Sequence, residues 1–68
     1  MEMMLWNLEK NGHDAKCTAR TQGDMFEVAV LIDGMRLQSH RCALHAEVKR
    51  WALVERRVWT SNGWQEIA

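Results

Sequence analysis

The chain has 68 residues, no proline and a formal net charge of zero, with 47% apolar and 26% charged residues. That leaves room for one domain over residues 1–68 with one core, and it is too apolar for a disordered tail. No apolar run approaches the roughly 20 residues of a membrane helix. Residues 1–8, with Glu2 among them, also lack the basic lead and apolar stretch of a secretion signal, so a cytoplasmic chain with no membrane partner is expected.

The first element is a strand running into Asn11-Gly12, a pair suited to a type I′ hairpin because both central residues need positive φ. Pairing outward from this turn sets Lys10 opposite His13, Leu8 opposite Ala15 and Trp6 opposite Cys17. The second turn, Gln22-Gly23-Asp24, is expected to be longer, with Phe26 opposite Ala19 and Val28 opposite Cys17. The third, Asp33-Gly34, is again of the I′ kind. It sets Ile32 opposite Met35, Val30 opposite Leu37 and Val28 opposite Ser39.

Side chains alternate across a strand, so one face collects Met4, Trp6, Leu8, Ala15, Cys17, Ala19, Phe26, Val28, Val30, Ile32, Met35 and Leu37. The other face collects Asn7, Glu9, Asp14, Lys16, Thr18, Arg20, Glu27, Arg36, Gln38 and His40, with Ala29 and Leu31 among them. Three separate turns agree on one apolar face, which argues for a four-stranded antiparallel meander.

After Cys42 the apolar period becomes helical. Leu44, Val48, Trp51, Ala52, Val58 and Trp59 share a stripe, and Asn62-Gly63 provides a stop after which Trp64 can fold back. A helix over residues 43–61 is predicted, poorly capped at its start. Packed on the apolar sheet face it gives an α+β, two-layer ββββα domain.

Two cysteines are present, Cys17 and Cys42. Two strand spacings would separate them by about 9–10 Å, beyond the roughly 7 Å limit for a disulfide, so both are expected as free thiols. Cys17 is expected to be buried. Cys42 is expected to be partly exposed near a helix N-terminus, with a lowered pKa. His40, Cys42 and His45 form a candidate metal set, but they lack the paired spacing of a structural zinc site, and the register points His40 and Cys42 away from Cys17. No nucleophile elbow, phosphate loop or dinucleotide fingerprint occurs, so neither an enzyme nor a cofactor is expected.

The outer helix face collects Lys49, Arg50, Arg56 and Arg57 around Leu53, while Leu31 lies on the outer sheet face. Apolar residues on otherwise polar faces point to a non-enzymatic protein-interaction module that self-associates as a homodimer or binds a protein partner. Strand addition at residues 3–9 or at residues 35–42 is a second mode, with Arg36, Gln38, His40 and Arg41 discouraging uncontrolled pairing at the latter. The alternative function is nucleic-acid binding by the basic helix face.

In Trp6-x-Leu8, Gly12-His13-x-Ala15-x-Cys17, Arg20, the Asp33-Gly34 hairpin, Trp51-Ala52 and Gly63-Trp64, the chain resembles a group of short bacterial proteins with no assigned activity. The resemblance spans nearly the whole chain. It implies a sheet-plus-helix domain and carries no functional residue with it.

Overall fold

The hairpin glycines set the architecture. Asn11 and Gly12 take φ of 52° and 82°, and Asp33 and Gly34 take 49° and 84°, the positive values a type I′ turn demands. In the computed structural model, which describes residues 2–67, these turns join four long antiparallel strands: β1 (Glu2–Lys10), β2 (His13–Gln22), β3 (Met25–Ile32) and β4 (Met35–Cys42). The helix α1 (His45–Ser61) follows, then a short strand β5 (Gln65–Glu66). The sheet order is β4-β3-β2-β1-β5, with the helix packed on one face. The expected α+β meander with its C-terminal helix is therefore the fold, extended by a fifth strand that the sequence did not announce.

The first hairpin pairs as expected, Trp6 with Cys17 and Leu8 with Ala15. The second is tighter than expected. Gln22 pairs with Met25 around Gly23-Asp24, so Phe26 meets Thr21, Val28 meets Ala19 and Val30 meets Cys17. The slip is two residues, one full side-chain period, and every side chain keeps its face.

Two register shifts correct the expected faces. One lies between Met4 and Trp6, the other opposite Val30 and Leu31. An extra residue in one strand inverts the alternation beyond it. Because Leu5 is extra in β1, Met3 rather than Met4 lies opposite Ala19 on the helix side, and Met4 is 57% exposed. Because Leu37 is extra in β4, Val30 faces Gln38, and Leu37 leaves the core at 59% exposure. Gln38, His40 and Cys42 then turn towards the helix, and Cys42 is 2% exposed. The expected partly exposed Cys42 with a lowered pKa is thus overturned: burial raises its thiol pKa. Met35 keeps its place opposite Ile32 but stands exposed at the hairpin tip.

The helix starts at His45, and the preceding Leu44 has no polar side chain to cap it. The Glu47 carboxylate instead accepts a hydrogen bond from the Leu44 N–H at 3.1 Å, one half of a capping box. At the other end Gly63, φ 93°, donates to Thr60 O and Trp64 donates to Trp59 O, each at 3.2 Å, the paired bonds of a Schellman motif. Trp64 then lies edge-on to Trp59 with ring centroids 5.1 Å apart. The Lys10 ammonium donates to Asn62 O at 2.6 Å, placing a positive charge where the helix dipole is negative.

The core is small: Leu8, Cys17, Val28, Val30, Cys42 and Val48 are its largest fully buried side chains, and Trp6 and Ala52 complete it. Leu44 and Val58, expected on the buried stripe, are exposed. The helix sits turned, with Val48, Ala52 and Trp59 towards the sheet.

Candidate interaction surface

The uncovered sheet face organises itself around Glu27, which is only 8% exposed. Arg20, its partner on β2, and Arg36 on β4 approach its carboxylate at 3.0 and 3.3 Å. Burying a carboxylate demands such pairing. Leu31 is half-buried on this face, in register with Lys16 and Arg36.

The helix has two flanks, and the sequence-predicted residues divide between them. On the β4 flank, His40 stacks on Trp51 (centroids 6.1 Å apart, planes 4° apart). His40, Cys42, Glu47, Arg50, Trp51, Val54 and Glu55 line one cleft there, and Gln38 hydrogen-bonds Glu55 across it. His45 lies elsewhere, edge-on to Phe26 at 5.7 Å. The bulge thus turns His40 and Cys42 to the same face as Cys17, contrary to the expected register, but His45 does not join them. Among the described residues no three His, Cys, Asp or Glu side chains are placed to hold a metal ion.

On the β1 flank the helix and the sheet leave an apolar seam. Its first part is a cavity of about 190 Å³ between Met3, Ala19, Phe26, His45 and Val48, with Arg20 and Thr21 at its rim. Its second part is a cleft of about 210 Å³ between Leu5, Trp6, Lys49, Ala52, Leu53 and Arg56. Leu53 is 47% exposed here. The seam runs beside the first half of β1, because β5 pairs with β1 only at Leu8 and Glu9, followed by a bond from Ile67 N–H to Asn7 O.

The four basic helix residues do not form one patch: Lys49 and Arg56 line the cleft beside Leu53, and Arg50 lies on the other flank. Arg56 is paired with Glu66 of β5, its Nε donating at 2.8 Å. Arg50 shares a cleft with Glu47 and Glu55, Lys49 stands on the opposite flank, and Arg57 is exposed.

Sequence reasoning missed a pair joined across the sheet. His13 Nδ1 and Asp33 Oδ2 are 2.8 Å apart, and Asp33 Oδ1 accepts from the Asp14 N–H at 2.8 Å. These bonds, led by that to His13, hold the Asp33 carboxyl below its ordinary value. A carboxylate that orients an imidazole recurs in metal and general-base sites, but this one has no nucleophile or further ligand hydrogen-bonded to the ring among the described residues. The pair locks two hairpin turns together. Only the placement of both turns at one end of the sheet could have signalled it.

No protein-family model, no curated protein and no solved structure matches the chain.

Proposed function

We propose that the protein is a non-enzymatic protein-interaction module whose working surface is the seam between α1 and β1. One observation carries this reading: Met3 and Leu53 stay exposed on the helix side, and Met4 on the other face, where the first half of β1 has no strand on its outer edge among the described residues. Apolar side chains beside an unpaired strand edge are the combination that strand-adding partners use, backbone bonds supplying affinity and the side-chain clefts supplying selectivity. Each of the two clefts, at about 190 and 210 Å³, is of a size that a partner's side chains can enter.

Two measurements on wild type and Leu53→Glu test it: solution mass by light scattering over a dilution series, and retention of host proteins on the immobilised chain. At least one should respond to Leu53→Glu, and Leu31→Glu on the opposite sheet face should be silent in both. A wild type that stays monomeric and retains nothing that Leu53→Glu releases overturns the proposal.

Nucleic-acid binding is less well supported, because Arg56 is engaged by Glu66 and Arg50 lies beside two acids. Retention of nucleic acid that falls steeply with salt and is lost in an Arg56→Glu, Arg57→Glu double variant would reinstate it.

A further inference from the structure

We infer that the partner of this seam is a second copy of the chain, joined edge to edge through the first half of β1. The inference rests on the interaction-module reading and names its partner.

The two long edges of the sheet are unlike each other. The β4 edge carries Arg36, His40 and Arg41 within Met35–Cys42. Two β4 strands paired antiparallel about their middle would set Arg36 of each copy against Arg41 of the other, and like charges directly opposed destabilise a strand pair. This edge is blunted in the way sheet proteins guard against self-pairing. The β1 edge carries no such pair of like charges. The stretch free on its outer edge, residues 2–6, reads Glu-Met-Met-Leu-Trp and contains no lysine, arginine or proline.

Pairing this stretch with itself is chemically consistent. An antiparallel two-fold at its centre sets Met4 against Met4, Met3 against Leu5 and Glu2 against Trp6, so no like charges meet. The faces agree where the apolar side chains meet. Met3 lies on the helix side, opposite Ala19, and Leu5 lines the helix-side cleft with Trp6 and Leu53. Met3 of each copy therefore meets the apolar cleft of the other. Glu2, in register with Arg20, stays on the uncovered face, so no acid enters the apolar cleft. The sheet continues across the axis, with both helices on one side.

The test is sedimentation velocity of the full chain from about 1 μM to about 1 mM, a range that covers weak and moderate dimers. The wild type should dimerise. Met4→Lys should weaken the dimer at least tenfold, and Arg36→Glu on the other edge should leave it unchanged. Facing residues of an antiparallel pair lie about 4.5–5.5 Å apart at Cα, within disulfide reach, so Met4→Cys should cross-link to itself under mild oxidation. Leu37→Cys should not, and Cys17 and Cys42 are buried and add no background. Met4 and Leu37 are exposed, and far-UV circular dichroism verifies that the variants fold.

A chain that is monomeric throughout overturns the inference, as does a dimer indifferent to Met4→Lys or one cross-linked through Leu37→Cys. Indifference to Met4→Lys with loss on Leu53→Glu would remove edge pairing and leave the seam as the working surface. A monomer that still retains a protein released by Leu53→Glu would remove the second copy and leave the interaction module.

Discussion

The indole N–H of Trp6 donates to the carbonyl of Ala52 at 2.9 Å, joining the first strand to the middle of the helix through a buried hydrogen bond. The ring of Trp6 also meets that of Trp59, centroids 6.5 Å apart, one helical stretch further on. One side chain thus ties β1 to α1, and it lines the seam beside Leu53.

Trp6→Phe should keep most of the packing and lose the hydrogen bond, at a cost of about 1–2 kcal/mol. Trp6→Ala should cost about 3–5 kcal/mol, a large share of the stability of a domain this size. Urea unfolding followed by far-UV circular dichroism checks both. Equal stabilities for Trp6→Phe and wild type would show that the bond to Ala52 contributes nothing.

Deleting Leu37 should be tolerated within about 1 kcal/mol, because the residue is the unpaired extra one of a bulge and lies largely in solvent. Without it Arg36 and Gln38 become neighbours in a regular ladder, and His40 and Cys42 keep their places against the helix. If β4 were instead regular through Leu37, the deletion would turn Cys42 outwards and unfold the protein. A thermal melt of the deletion variant separates the two outcomes.

Gly63→Ala should destabilise by about 1–2 kcal/mol, since φ of 93° is costly for any residue with a Cβ. An added methyl would stand 3.5 Å from the Lys10 side chain, ordinary contact, so conformation and not space sets the cost. Gly63→Asn should recover part of the loss, because asparagine tolerates a left-handed cap better than alanine. Parallel denaturant melts of the two variants give the comparison.

Both thiols should resist alkylation in the folded protein at mildly alkaline pH. Burial first, then the charge of Glu55, pushes the Cys17 thiol from 9.0 up to about 12, and burial likewise raises Cys42. Such groups favour folding while they stay protonated. The contribution of Cys17 is complete below the unfolded value near 9 and declines as pH rises from there towards about 12, and that of Cys42 declines in the same direction. Iodoacetamide labelling with and without denaturant tests the protection, and unfolding midpoints measured upward from pH 9 test the slope.

Much of this fold is legible in short stretches of sequence. Asn11-Gly12 and Asp33-Gly34 specify their turns by backbone chemistry that needs no distant partner, and Gly63 with Trp64 specifies the helix stop in the same way. From β1 to β3 the alternation of Trp6, Leu8, Ala15, Cys17, Val28 and Val30 against polar neighbours fixes the faces, so even a turn misjudged by two residues does no harm.

The candidate surface was legible only in part. Leu53 stood out as an apolar residue among charges, but its neighbours Leu5 and Trp6 come from the far end of the chain. Met4 was expected on the apolar face, and the bulge at Leu5 gives that place to Met3. In β4, Arg36-Leu37-Gln38-Ser39-His40 offers no apolar alternation to reveal a slip, and a single extra residue reverses everything after it.

The sequence by itself determined the four long strands, the Asn11-Gly12 and Asp33-Gly34 turns, the meander order and the end of the helix, because each is decided by φ preferences and side-chain periodicity within a few residues. Tertiary structure decided where the strands bulge, which flank of the helix stays open and that His13 meets Asp33. Those outcomes depend on how one helix sits across a twisted sheet, an arrangement set by packing between residues far apart in the chain.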